Sequence, residues 1–203
     1  MNWHLLRIAE RHGPKAGDWL RDLNYSLGEV RRRDVFIRHL GFAVPTREAI
    51  EAIIKHVGGR QLVEVGAGAG LWACLLHDAG VDVVAYDNWA WHGNGRRRVS
   101  VGKFFPVERG TQRKALSREG HREVLMLIWP PYSEGLAHNA VRNFRGDRFI
   151  YIGEGDGGCT GCDRFHALLE RDWELTEEVA IPQWWGIHDS VYLYERAGVK
   201  KEE

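Results

Sequence analysis

Three glycines, Gly66, Gly68 and Gly70, alternate through Val63-Glu-Val-Gly-Ala-Gly-Ala-Gly70, directly behind a short apolar run. Glycine reaches positive φ and lets another molecule approach the backbone closely. A glycine turn between a strand and a helix is therefore a place for a nucleotide-like ligand, at the carboxyl end of the strand. A dinucleotide fingerprint is spaced G-x-G-x-x-G, whereas here the spacing is G-x-G-x-G. Glu64 precedes the turn, close to where a pyrophosphate would lie. A carboxylate there repels phosphate and suits a cationic or amine-bearing ligand. Asp87 ends the next apolar run, VDVVAYD, where a carboxylate accepts hydrogen bonds from ribose hydroxyls. The plainer alternative for Asp87 is a turn or N-cap residue. The expected ligand contacts are Glu64, Gly66, Ala67, Gly68, Gly70, Asp87 and Asn88.

A second group gathers around Ile128-Trp129-Pro130-Pro131-Tyr132, where a Pro-Pro pair stops an apolar run. GEGDGGCTGCDRFH (153–166) supplies Glu154, Asp156, Asp163 and His166, and QWWGIHDS (183–190) supplies Trp184, Trp185, His188 and Asp189. Both are unusually polar and glycine-rich for mere connections. Histidine titrates near neutral pH, which makes His188, with Glu154, the best general-base candidate. A buried structural histidine and a capping carboxylate are the alternatives. Cys159 and Cys162 have C-x-x-C spacing, but no second such pair and no closely spaced histidine pair accompanies them. No metal site is expected, and no thioredoxin-like redox pattern surrounds them. Arg96, Arg97 and Arg98 beside Lys103 are either solvated or a seat for an anionic group. RRRD (31–34) reads as a solvated face. Phe42 and Pro45, in GFAVPT (41–46), are either lid contacts or packing under a helix start.

The elements that must hold these residues follow from hydrophobic spacing. Residues 1 to about 40 are charged and helix-like. Thr46 is a plausible N-cap for a helix carrying Ile50, Ile53 and Ile54, which Gly58 and Gly59 end. Strands are expected at 61–65, 81–87, 123–129 and 147–155, and helices at 71–80, 135–144 and 162–172. WELTEEVAIPQW and DSVYLYER read as two closing strands joined by a turn, an antiparallel edge pair. Residues 88 to about 119 show no period and read as a long functional loop. Strands alternating with helices predict a doubly wound α/β fold with a mostly parallel sheet.

VEVGAGAG together with Asp87 resembles the class I S-adenosylmethionine-dependent methyltransferases. Their first motif is an acidic residue followed by G-x-G-x-G, and an acidic residue after the second strand binds ribose. The resemblance covers roughly residues 40 to 196. It implies a seven-stranded Rossmann-like sheet with a C-terminal antiparallel strand pair. It also implies S-adenosylmethionine as cofactor, a methyltransferase-like domain over 41–203, and a helical N-terminal extension over 1–40. WPPY resembles motif IV of amino-methylating members, in which Asp, Asn or Ser precedes Pro-Pro and an aromatic follows. There the turn aims a carbonyl and a side-chain acceptor at the substrate amine, and the ring stacks on a planar substrate, so positioning supplies most of the catalysis. This chain departs from the pattern at Trp129, whose indole only donates. WPPY, GEGDGGCTG and GIHD together are similar to one methyltransferase-like subgroup. The implied reaction is methyl transfer to a nitrogen of a small or nucleotide-like acceptor. Trp129, Pro130, Pro131 and Tyr132 would shape that site, and Trp129 would also border the cofactor.

Composition bounds these readings. With 203 residues the chain suits one α/β domain. Lys+Arg and Asp+Glu balance at 28 each, so the global positive field of a nucleic-acid binder is missing, although a local basic patch is compatible. No membrane-spanning run, signal core or disulfide framework is present, and a cytoplasmic protein is expected. Two rivals remain. A nucleic-acid base methyltransferase keeps PPY and the Arg-rich loop. A non-catalytic S-adenosylmethionine-binding module keeps only the glycine turn and Asp87.

Overall fold

All four residues of β1, Leu62–Val65, are buried, as expected of a strand covered on both faces. Alternate residues point to opposite sides and divide the core in two. Leu62 joins one apolar cluster with Val83, Met126 and Ile150, while Val63 and Val65 join another with Leu125, Phe149 and Tyr151. The computed structural model describes residues 26–90 and 102–198, with Leu6, Arg7, Ala9 and Arg11.

Within these residues the helices are α1 (Ser26–His39), α2 (Arg47–Val57), α3 (Leu71–Asp78), α4 (Gln112–Arg118), α5 (Leu136–Asn143) and α6 (Asp163–Asp172). The strands after β1 are β2 (Val83–Asp87), β3 (Val107–Arg109), β4 (Val124–Ile128), β5 (Arg148–Gly153), β6 (Trp173–Ala180) and β7 (Ser190–Arg196). The sheet order is β3-β2-β1-β4-β5-β7-β6. The first five are parallel, and β7 lies antiparallel between β5 and β6. This is the doubly wound, mostly parallel sheet that the strand–helix alternation predicts, with the seven strands and the antiparallel closing pair that the resemblance implies. α1, α2 and α3 contribute to the first core cluster and α4, α5 and α6 to the second. Thr46 caps α2 by accepting from the Ala49 N–H at 3.1 Å, and Gly58 closes it in the left-handed region.

The segment expected to be irregular contains both β3 and α4. β3 has three residues, two of them exposed, and α4 buries only Ala115. Elements so short and polar leave no hydrophobic period to read. The end of α1 packs inward: Phe36 and Ile37, with Leu40 just after the helix, are buried.

The chain leaves β1 toward β2 on one side and reaches β4 on the other. The switch point therefore lies between β1 and β4, at their carboxyl ends. Gly66, Trp129 and Glu154 follow β1, β4 and β5 at that edge. Among the described residues no helix is long and apolar enough to cross a membrane.

Candidate functional site

A cavity of about 420 Å³ opens at this switch point, within the range of small-ligand sites. Its floor is the glycine turn. The backbone N–H groups of Gly66 and Ala67 donate to the Tyr86 carbonyl at 2.8 and 3.1 Å, tying the turn to β2. Gly66 has φ +82° and nothing within 4 Å of where a Cβ would be. Gly70 differs: a Cβ there would meet Phe105 at 2.9 Å, and the residue does not border the cavity. Gly70 is thus a close-packing residue rather than the ligand contact expected of it.

Glu64, Ala67, Gly68, Asp87 and Asn88 all line the cavity. Glu64 is 1% exposed. Burial pushes its carboxyl up to about 8, the Asp87 charge adds to the rise, and a hydrogen bond with the Ala73 backbone opposes it. Its Oε2 is buried with no hydrogen-bond partner. Such an atom calls for a donor, and an amine-bearing ligand supplies one. Asp87 accepts from the Gly68 N–H at 3.0 Å through Oδ2 and from the Trp89 N–H at 2.6 Å through Oδ1. The second bond is the turn role weighed above. Each oxygen has capacity to accept a further hydrogen bond, and the residue lines the cavity. Asn88 likewise accepts from the Ala90 N–H at 2.8 Å.

The opposite wall is aromatic. Trp129 follows β4 directly, at φ +50°, a left-handed conformation that a bulky side chain rarely adopts. Its backbone N–H donates to the Ile152 carbonyl at 2.8 Å, and its indole N–H donates to Asp189 Oδ1 at 2.8 Å. Phe42 stacks on the ring at 4.9 Å and 16°, and the Arg33 guanidinium stands 5.1 Å from its centroid. Burial pushes the Asp189 carboxyl up to about 7, against the pull of the Trp129 hydrogen bond. The Pro130 carbonyl accepts from the Gly161 N–H at 2.9 Å, so one of its lone pairs faces the β5–α6 loop. Tyr132, 47% exposed, donates to Asp163 at 2.8 Å.

Glu154 and His188 do not border the cavity. Glu154 is a clasp between loops, accepting from the backbone N–H groups of Cys159 and His188 at 2.8 and 2.9 Å. Burial alone would raise its carboxyl, but these bonds, the Cys159 thiol and His188 hold it below the ordinary value. The His188 side chain is 78% exposed, 3.6 Å from Glu154. The general-base expectation is thus corrected: the carboxylate is occupied by loop backbone and the imidazole faces solvent. Cys159 borders the cavity, and its thiol is pushed up to about 12 by burial and then by Glu154. Asp156 stays apart from the cavity, and His166 turns to the Thr160 carbonyl at 3.0 Å. Among the described residues no group of three or more His, Cys, Asp or Glu is arranged to hold a metal ion. Trp184 is core and Trp185 is exposed. Phe42 borders the cavity and Pro45 does not. Arg96, Arg97 and Arg98 lie outside the described residues, and Lys103 is exposed over the Phe104 ring at 4.9 Å.

Arg33 is the residue that the reading as a solvated face misses. It shares a helical face with Phe36, Ile37 and Leu40, spaced i, i+3, i+4 and i+7, and that spacing was the available signal.

No protein-family model matches the chain, and no curated protein matches it in sequence. Solved structures do match in fold. One is the 1,6-didemethyltoxoflavin-N1-methyltransferase of Burkholderia thailandensis with bound 1,6-didemethyltoxoflavin and S-adenosylhomocysteine. It is 17% identical, the match covers 74% of this chain and 77% of that one, and the TM-score is 0.51. Another is a Streptococcus pneumoniae protein, provisionally assigned as a tRNA (m1A22) methyltransferase, in complex with S-adenosyl-L-methionine. Its identity is 12%, the coverage 78% and 76%, and the TM-score 0.50. A third, an uncharacterized Listeria monocytogenes protein, is 7% identical over 78% of this chain and 71% of that one, with a TM-score of 0.51. At these identities the likeness is one of fold.

Proposed function

We propose that this protein is an S-adenosylmethionine-dependent methyltransferase acting on a nitrogen of a small or nucleotide-like planar acceptor. The observation that carries the reading is Glu64. It is an enclosed carboxyl beside an open glycine turn, with one oxygen that no protein group satisfies. The cofactor, when bound, supplies an activated methyl group on a sulfonium. Glu64 takes its amine and Asp87 and Asn88 take its ribose hydroxyls. Gly66, Ala67 and Gly68 let it lie against the backbone.

Trp129, Pro130 and Tyr132, with Phe42 and Arg33, frame the acceptor. The Trp129 indole is committed to Asp189, and one Pro130 lone pair is committed to Gly161. An exocyclic amine that must be held by two acceptors is served poorly by this wall. A ring nitrogen that carries its lone pair before attack needs neither acceptor. The names of two fold neighbours put the methyl group at position 1 of their acceptors, which agrees with that choice. No histidine lines the cavity among the described residues, so the wall contributes enclosure and alignment rather than proton abstraction.

The test is transfer of labelled methyl from S-adenosylmethionine to a panel of planar nitrogen heterocycles, nucleosides and short RNA. Label is expected on a ring nitrogen, with turnover falling at least about tenfold in both Trp129→Ala and Tyr132→Ala. Tight cofactor binding with no transfer to any acceptor would instead assign a non-catalytic binding module.

A further inference from the structure

A second concavity, an open groove of about 820 Å³, lies between α4 and α5. Arg113, Arg118, His121 and Arg145 line it, and no carboxylate does. Gln112, Asn139 and Asn143 add amide groups. The two helices, QRKALSR and LAHNAVRN, carry Arg113, Lys114, Arg118 and Arg142 and no acidic residue. In a chain whose charges cancel at 28 against 28, that is a local excess. The carboxylates flanking α4 are engaged. Glu119 holds the Tyr86 hydroxyl at 2.9 Å and Arg122 at 3.0 Å. Glu108 pairs with Arg118 at 2.8 Å, both side chains 57% exposed, and a pair so exposed yields readily to a phosphate.

α5 joins this groove to the cavity. Leu136, at its first turn, lines the cavity, whereas Asn139 and Asn143 line the groove. The three are spaced i, i+3 and i+7 and share one face. We propose that the α4–α5 groove binds the sugar-phosphate backbone of a single-stranded nucleic acid and leads it to the cavity rim. A continuous polyanion matches a row of cations and amides better than an isolated anion does. Leu116 and Phe144 are partly or wholly buried, so His121 is the one exposed ring in the lining, and most of the contacts are the sequence-independent ones to phosphate. A single strand is required because a base inside a duplex cannot reach a pocket. The choice of a single strand rests on the reading of the cavity as an acceptor site; the binding of a phosphate backbone by the groove does not.

The test is fluorescence anisotropy of a labelled oligouridylate RNA of about twenty nucleotides, longer than the site of a typical single-strand module. The wild-type protein is compared with Arg113→Glu/Arg145→Glu, two exposed positions outside the cavity. Binding by the wild type is expected to weaken with salt at a log–log slope of about −2 to −3, for three or four phosphate contacts. The double variant is expected to lose at least about tenfold in affinity, with melting and S-adenosylhomocysteine binding unchanged. Should it fold poorly, Arg113→Gln/Arg145→Gln serves in its place. Equal RNA binding by variant and wild type, or no binding at about 50 mM salt, overturns the proposal. Equal competition by polyglutamate overturns it too, as does self-association that the variant abolishes. The latter would assign the groove to the acidic β6 edge, with Glu174, Glu177 and Glu178, of a second copy. None of these outcomes touches the cofactor titration, so the two readings fail separately.

Discussion

Glu64 sets the strongest expectations for single residues. Its carboxyl ionises near 4.5 in a free chain and near 8 in the fold. Between those values the folded protein holds a proton that the unfolded chain has lost, so stability falls as pH rises through the window. Asp189, raised from 3.8 to about 7, acts in the same direction. Melting temperatures of wild type and Glu64→Gln, measured from about pH 5 to pH 9, should diverge with the wild type falling faster. Parallel curves would mean that Glu64 is not a buried acid. A ligand amine beside Glu64 should also expel its proton, so that calorimetry near pH 7 in buffers of different ionisation enthalpy shows proton release with S-adenosylhomocysteine. Two glycines of the same turn should separate by phenotype. Gly70→Ala meets Phe105 at φ +74° and should cost more than about 1 kcal/mol in urea unfolding, with cofactor affinity measured on the remaining folded protein little changed. Gly66→Ala meets no neighbouring atom but is strained at φ +82°, so it should lower stability as well and, unlike Gly70→Ala, weaken cofactor binding by the folded protein.

At the scale of elements, the loops behind the aromatic wall depend on Thr160. Its hydroxyl accepts from the Glu154 N–H at 2.8 Å and lies 2.5 Å from the Tyr151 hydroxyl, and all three groups are buried. Thr160→Val strands the buried Glu154 N–H, while the Tyr151 hydroxyl keeps the Glu154 carbonyl at 2.7 Å, and should cost about 1–2 kcal/mol in chemical denaturation. A loss below about 0.5 kcal/mol would mean that the loop holds without this clasp. α1 carries a comparable expectation: Phe36, 2% exposed and 5.5 Å from Trp184, should cost about 3 kcal/mol on truncation to Ala. These elements also mark how far the sequence could be read. β1, α3 and β2 were legible because apolar runs meet glycines at their ends. β3 and α4 were not, because tertiary pairing rather than local hydrophobicity holds them in place. Arg33 was hidden among charged neighbours in RRRD. Glu154 and His188 have the composition of a catalytic pair, and only the packing of two distant loops reveals that backbone N–H groups consume the carboxylate.

Across the whole molecule, a two-faced sheet with parallel centre strands brings the glycine turn, Asp87 and Trp129 to one edge, and strand–helix alternation was enough to predict that. What the order of elements does not contain is the electrostatic division. Two acids, Glu64 and Asp87, lie at the cavity floor and Arg33 beside the aromatic wall, while a basic groove crosses the α4–α5 face of a chain with no net charge. The identity of the molecule held by the glycine turn decides the rest. Parallel calorimetric titrations with S-adenosylmethionine, S-adenosylhomocysteine and NADH test it directly. Micromolar binding of the first two, lost in Asp87→Ala and absent for NADH, is the expected result. Binding of NADH alone, or an Asp87→Ala variant that keeps its affinity within about twofold, would contradict it.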